Sequence, residues 1–342
     1  MTTMVSRTQQ EDVREFARTF ALADELANAS FLITGATGLI GTSLIRCLLA
    51  LDKGIRIIAP VRNKEKAMAM FGDVFDRVEW MECDLASCDY DQVGKVDYVI
   101  HCAAPTSSKF FVDSPVETIR VIYEATATLL NFAYRQSIKG FVYLSSLEVY
   151  GSGLPDIKIT EDMQGYWDVM NIRSSYPVAK RAVENLCCAY ASEYGVPVKI
   201  ARLTQTTGSG MVKDDNRVVA QFARLAAKGE DIVLHTTGES ARPYCYTTDC
   251  ISALLYILLK GKNGEAYNVA NDSTYISARG MAEFLRDNFN PAIDVRVELN
   301  DNMGYAPASK LNLSTEKLRA LGWQPRYDLK QLFERLITYL SE

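Results

Sequence analysis

Tyr176 and Lys180 stand four residues apart in SSYPVAKRAVE, a spacing that puts both side chains on one face of a helix. A lysine ammonium beside a phenol favours the phenolate and draws its pKa down toward working pH. Such a tyrosine can take a proton from an alcohol while hydride leaves the same carbon. Ser145 and Ser146 end an apolar run that begins at Phe141, and a serine hydroxyl at a strand end can hydrogen-bond the reacting oxygen. Glu148, two residues on, shares the side of Ser146 if the chain stays extended, and offers a general base or a substrate contact. The plainer alternatives are a strand-end turn for the serines and a carboxylate bonded to loop backbone for Glu148.

A departing hydride needs an acceptor, and the stretch Ser30–Leu51 supplies a place for one. Phe31-Leu32-Ile33 is a short apolar run ending at Thr34, after which Gly35, Gly38 and Gly41 fall three residues apart. From Leu39 the apolar residues recur at helical spacing through Ile40, Leu44, Ile45, Leu48 and Leu49. Strand, glycine turn and helix follow in that order. Gly35 permits the turn, Gly38 lets backbone approach a pyrophosphate, and Gly41 lets the helix pack close on its strand. The helix N-terminus adds unpaired N–H groups and a partial positive charge. The pattern is that of a dinucleotide site.

The elements that must position these residues alternate. Strands are expected at Ile55–Ala59, Val78–Met81, Asp97–Ala103, Phe141–Ser145 and Val198–Leu203, with helices at Pro115–Arg135 and Ser174–Tyr194 between them. The DYVIHCA strand is apolar without alternation, as in a parallel sheet buried on both faces. This order predicts an α/β fold, a doubly wound parallel (Rossmann) sheet. The pattern then loosens. Helices are expected at Val218–Ala227, Asp249–Leu259, Ala278–Asn288 and Asp328–Leu340, with short strands at Ile232–Leu234 and Ala266–Val269. The chain thus divides into a helical extension over 1–29, a dinucleotide-binding domain over 30–203, and a smaller α/β substrate-binding cap over 204–342, some of whose segments return to the sheet. Within the extension, Glu11–Leu26 reads as an amphipathic helix that packs on the core or on a neighbouring subunit.

A length of 342 residues suffices for a full core, and 48% hydrophobic with 23% charged residues is ordinary for an enzyme. A net charge of −5 argues against a general nucleic-acid binder. None of the eight cysteines forms a CxxC pair, so reduced, mostly buried thiols are expected. With only His101 and His235 present, no metal site is expected. No signal peptide or membrane-spanning run is seen, which places the protein in the cytoplasm.

Together, TGATGLIG (34–41), Ser146 and YPVAK (176–180) resemble the extended short-chain dehydrogenase/reductases, in the branch of nucleotide-sugar epimerases, dehydratases and decarboxylases. The resemblance runs from about residue 30 to the C-terminus. It implies a nicotinamide cofactor held by Gly35, Thr37, Gly38, Leu39, Ile40 and Gly41, by the adenine-contacting pair Asp84-Leu85, by Ala103 and Ala104 after the fourth strand, and by Tyr176 and Lys180. Arg242, in RPYCYTTD, is similar to the family's nucleotide-diphosphate clamp. Asn216-Arg217-Val218-Val219 resembles a substrate-side segment, which makes Arg217 a substrate contact. The helices at Pro115–Arg135 and Ser174–Tyr194 form a four-helix dimer interface in relatives, which implies a homodimer.

Three departures bear on chemistry. After the second strand, where NAD-using relatives carry an acid, this chain has Pro60-Val61-Arg62-Asn63, and a guanidinium suits a 2′-phosphate. Arg62 therefore tilts the expected cofactor from NAD toward NADP. A family asparagine falls on Ile122, and the asparagine of the segment before the cap falls on Gln205, a substrate-side position. Finally, dehydratases of the family pair an aspartate and a glutamate at the positions of Leu147 and Glu148, whereas decarboxylases keep only the glutamate. The expected protein oxidises a nucleotide sugar transiently at C4, with Tyr176 as base, Lys180 as its activator, Ser146 as substrate anchor and Arg242 on the diphosphate. Epimerisation, decarboxylation or elimination then follows. The rival readings are an NADPH-dependent ketosugar reductase and a non-catalytic cofactor-sensing protein.

Overall fold

The computed structural model describes residues 5–300 and 308–342. Residues 1–4 of the extension and 301–307 of the C-terminal part lie outside the described residues. Strands β1 (Ser30–Thr34), β2 (Arg56–Val61), β3 (Glu79–Glu82), β4 (Tyr98–His101) and β5 (Gly140–Ser146) belong to one sheet, with Val198–Leu203 and Ala266–Val269. It has seven strands in the order Ala266–Val269, Val198–Leu203, β5, β4, β1, β2, β3, and every neighbouring pair is parallel. This is the expected doubly wound sheet. The chain steps outward from β1 to β3 and then crosses back to β4, so the switch point lies between β1 and β4. The crevice outside the carboxyl ends of those strands is where such sheets bind ligands.

Helices α1 (Arg7–Thr19), α2 (Leu39–Ala50), α3 (Lys64–Phe71), α4 (Ser108–Asp113), α5 (Pro115–Gln136) and α6 (Ser175–Tyr194) accompany these strands. Successive residues of β1 bury on opposite faces. Phe31 and Ile33 join the layer containing Leu44, Ile45 and Leu48 of α2, while Leu32 joins Val99, Leu129 and Val183 on the other side. Each such side chain contributes roughly 1.5–3 kcal/mol by burial. The turn between β1 and α2 allows no side chain at two glycines. Gly35 has φ +69°, and a Cβ there would come within 2.7 Å of the Ala103 nitrogen. A Cβ on Gly41 would meet the Gly35 carbonyl at 2.2 Å.

Beyond Leu203 the strands shorten. Gln205–Thr207, Ala241–Tyr246 and Asn271–Ser277 make a three-stranded sheet, and helices Val218–Lys228, Ala278–Phe289 and Leu329–Ser341 surround a separate apolar cluster. Helix Thr247–Lys260 goes back to the central sheet, burying Ile251, Leu254 and Leu258 against it.

The expected N-terminal helix is shorter than its apolar pattern. A capping box of Ser6 and Gln9 starts α1, which stops at Thr19, and a 3₁₀ turn follows over Ala23–Leu26. It packs on the core of its own subunit through Phe16 and Phe20. Asp12, only 2% exposed, accepts hydrogen bonds from Ser209 Oγ, from Tyr246 Oη at 2.6 Å and from Arg335 Nη1 at 2.5 Å.

The expectation of reduced thiols throughout fails at one pair. Cys83 and Cys88 are joined in a disulfide, with Cα atoms 5.5 Å apart, closing the loop that holds Asp84 and Leu85. The fold brings the two thiols together where their spacing, with four residues between, gives no CxxC signal. No helix of the described residues is long and apolar enough to cross a membrane.

Candidate active site

The residues singled out by their chemistry meet at the carboxyl end of β5. Ser146 closes that strand, and its Oγ caps the next turn by accepting from the Glu148 N–H at 3.2 Å. Leu147–Tyr150 is a 3₁₀ turn, not the extended chain expected there. Glu148 nonetheless stays beside Ser146, because the cap folds the turn back over the strand end. Leu147, 5% exposed, turns into an apolar cluster.

Tyr176 and Lys180 lie on one face of α6, both buried. The Tyr176 ring stacks on Phe111 of α4, with centroids 4.3 Å apart and planes 10° from parallel. Burial raises the Tyr176 pKa, the Glu148 carboxylate raises it further, and a hydrogen bond with Ser146 and the charge of Arg173 act against both. The expected direct help from Lys180 takes another form. Lys180 Nζ donates to the Leu144 carbonyl at 2.7 Å, lies 4.6 Å from the Tyr143 ring centre and 5.7 Å from that of Tyr176. Burial lowers its pKa to about 7. In the protein chain alone, therefore, the phenol is held protonated, in contrast with the depressed pKa that spacing predicts.

Of the residues expected to hold the cofactor, Gly35 to Gly41, Ala103 and Ala104 lie at the switch point. Gly38 is the N-cap of α2 and supplies no side-chain hydrogen bond, so the N–H groups of Leu39 and Ile40 are left for a ligand. This uncapped terminus beside the glycine turn fits a dinucleotide pyrophosphate. Thr37 is half-buried in the same turn. Ala103 and Ala104 follow β4, and the Ala103 N–H is 3.3 Å from Thr34 Oγ1. His101 is fully buried, bonded on one side to Thr34 at 2.6 Å and on the other to Thr126 at 3.0 Å, and burial lowers its pKa to about 3. It is a neutral bridge between β1 and α5. Asp84 and Leu85 sit inside the disulfide-closed loop, where Asp84 Oδ1 accepts from the Ala86 N–H at 3.0 Å. Arg62 is exposed at the end of β2 and makes no hydrogen bond or ion pair with the described residues.

The residues expected on the substrate side form a second group around the three-stranded sheet. Gln205 pairs with Tyr244 in register, two residues from Arg242, and Arg217 Nη1 donates to the Thr206 carbonyl at 3.3 Å. The Arg217 guanidinium is also held by Asp215 at 2.8 Å, whereas Arg242 is half-buried with no hydrogen bond or ion pair to the described residues. No hydrogen bond among the described residues links this group to Tyr176.

Sequence reasoning missed Arg173, Phe111 and Trp167. Arg173 Nη2 lies 3.2 Å from Glu148 Oε2, its guanidinium carbon is 5.1 Å from the Phe111 ring centre, and Trp167 Nε1 donates to the Glu148 carbonyl at 2.8 Å. Arg173 precedes Tyr176 by three residues, a spacing that signals a neighbour one turn away. Phe111 and Trp167 carry no such signal.

The family model described as the NAD dependent epimerase/dehydratase family matches residues 31–270. UDP-glucuronic acid decarboxylase 5 of Arabidopsis thaliana is 29% identical over 311 residues, covering 89% of this chain and 87% of that protein. UDP-glucuronic acid decarboxylase 1 of Danio rerio is 24% identical over 347 residues, covering 97% and 79%. Among solved structures, the Thermotoga maritima UDP-glucose 4-epimerase with UDP-glucose superposes with a TM-score of 0.78 at 20% identity, covering 91% of this chain and 98% of that one. The Bacillus cereus UDP-glucuronic acid 4-epimerase in complex with NAD gives 0.74 at 20% identity, covering 91% and 96%. The match over most of the sheet and its switch point identifies the chain as a member of the NAD dependent epimerase/dehydratase family.

Proposed function

We propose that this protein withdraws hydride from C4 of a nucleotide-linked sugar, and that the sugar is a uronic acid, which then loses carbon dioxide. The observation that carries this reading is a carboxylate, Glu148, beside Tyr176, with a buried leucine where a second acid would be needed for elimination of water. The similarity to UDP-glucuronic acid decarboxylases supports it.

The nicotinamide, held by Leu39, Ile40 and the turn around Gly35 and Gly38, supplies a hydride acceptor and donor. Tyr176 Oη takes the proton of the C4 hydroxyl, and Ser146 Oγ, beside Tyr176, orients that hydroxyl. Lys180 places a positive charge below the ring. Once C4 is a ketone, a C6 carboxylate stands β to a carbonyl, and its departure as carbon dioxide leaves an enolate that takes up a proton at C5. Glu148 is the acid–base group on the sugar side. Arg242, unpaired among the described residues, binds the diphosphate with Arg217 and Gln205 around it.

Incubating the protein with NAD and a panel of nucleotide sugars, then weighing the products, tests the reading. Loss of carbon dioxide from a nucleotide uronic acid is expected. Loss of water, or an unchanged mass with inverted C4, overturns decarboxylation and leaves the C4 oxidation to be read from which sugar reacts.

Arg62 favours a second reading. Its unengaged guanidinium at the end of β2 fits NADP, and net hydride gain by a keto sugar would then be the product signature. We also infer a homodimer through α5 and α6, which expose Val116, Ile119, Tyr123, Tyr134 and Tyr194 on their outer faces.

A further inference from the structure

Two groups at this site oppose each other. If Tyr176 is to lose its proton, it must do so beside the Glu148 carboxylate, and two negative groups at close range resist that. We propose that Arg173 is the positioning residue that makes the pair compatible: its guanidinium holds and offsets Glu148, so that Tyr176 can ionise next to it. The proposal rests on the reading of Tyr176 as the proton acceptor.

The geometry is specific. Arg173 ends the approach to α6, in the 3₁₀ turn Ile172–Ser174, and its Nη2 reaches Glu148 Oε2 at 3.2 Å. The same guanidinium lies against Phe111, whose ring stacks on Tyr176, so the cation and the phenol share one aromatic while the cation holds the acid. Trp167 fixes Glu148 from the other side through its backbone carbonyl. Arg173 Nη1 is buried with no hydrogen-bond partner. A side chain retained only to tie a loop would not leave a guanidinium nitrogen orphaned, since that costs stability.

The charged and titratable groups facing Tyr176 are few. Its own helix brings Lys180, β5 brings Tyr143, the turn after β5 brings Glu148, and the turn before α6 brings Arg173. From α4 the uncharged Phe111 stacks on it, while Lys109 and Asp113 are exposed. Lys180 is engaged with Leu144 and Tyr143, so Arg173 is the cation available to Glu148. Burial and Glu148 push the Tyr176 pKa up, and Arg173 pulls it down.

Tyrosinate absorbance of the NAD-loaded protein, taken as the difference between each variant and the same variant carrying Tyr176→Phe, reads this ionisation without any sugar. Arg173→Gln is expected to raise the Tyr176 midpoint by about one to two pH units, and Arg173→Lys by less than half of that. Glu148→Gln alone lowers it, and Arg173→Gln with Glu148→Gln brings it back toward the wild-type value. An unchanged midpoint in Arg173→Gln, or a double variant as high as the single, overturns the proposal. Should Arg173→Gln not fold, a Glu148→Gln midpoint that fails to drop does the same. A wild-type Tyr176 that stays protonated to about pH 11, a unit above the ordinary tyrosine value, overturns instead the assignment of Tyr176 as base.

Discussion

Lys180 gives its hydrogen bond to the Leu144 carbonyl and stands 5.7 Å from the centre of the Tyr176 ring. It sits over the Tyr143 and Tyr176 rings and does not donate a hydrogen bond to the phenol. Burial lowers the Lys180 pKa from 10.5 to about 7. The unfolded chain then holds a proton that the folded chain has lost over the interval between those two values, so stability from this group rises as pH climbs through it. The contribution is on the order of 3–5 kcal/mol across the interval. Lys180→Met should remove that rise. Denaturant unfolding of both proteins at the two ends of the interval checks it, because the other titrating groups cancel in the difference. Parallel slopes for the two proteins would contradict the buried-lysine account.

Tyr176→Phe keeps the stack on Phe111 and removes only the hydroxyl. Cofactor affinity should hold while turnover falls by roughly a hundredfold or more. Fluorescence titration with NAD and a turnover assay on the same preparation separate the two. Near-normal turnover takes Tyr176 out of the chemistry.

Arg62 sets up a cofactor test. If its guanidinium meets a 2′-phosphate, NADP binds more tightly than NAD by roughly ten- to a hundredfold, a contact of about 1.5–3 kcal/mol. Arg62→Ala then erases the preference and leaves NAD affinity nearly unchanged. Calorimetric titration with both cofactors decides; equal or tighter NAD binding in the wild type discards the NADP reading and favours a recycled nicotinamide.

The exposed apolar side chains of α5 give the homodimer its test. Ile119, 44% exposed, lies one turn from Tyr123 on the same helix face. Ile119→Asp should convert a dimer into a monomer in light scattering at micromolar concentration, with little change in the thermal midpoint of the monomer fold. A wild-type monomer at that concentration refutes the interface.

Much of this architecture is written in local patterns. The glycine spacing at 35, 38 and 41 and the apolar helix behind it determine β1, the turn and α2 almost by themselves, since no side chain fits at Gly35 or Gly41. Val198–Leu203, Ile232–Leu234 and Ala266–Val269 fall where their apolar runs place them. The strands Ala241–Tyr246 and Asn271–Ser277 were not legible, because polar and turn-forming residues interrupt them and only tertiary pairing makes them strands. The tyrosine, the lysine and the serine are legible as a set. Their electrostatics are not: burial decides the Lys180 pKa, and burial is a property of the assembled core. The turn at Leu147–Tyr150 depends on a hydroxyl cap that alternation cannot foresee. The Cys83–Cys88 link likewise depends on how the loop closes.

The bonds of Asp12 also set an order of assembly. Its partners Ser209, Tyr246 and Arg335 lie 197, 234 and 323 residues further along the chain. At ~5–20 residues per second on the ribosome, Arg335 is made roughly 16–65 s after Asp12. Throughout that time α1 has its capping box and α2 to pack on, but not its ion pair with Arg335. The Asp12 carboxylate thus gains its cation only when helix Leu329–Ser341 arrives, long after α1 itself is made.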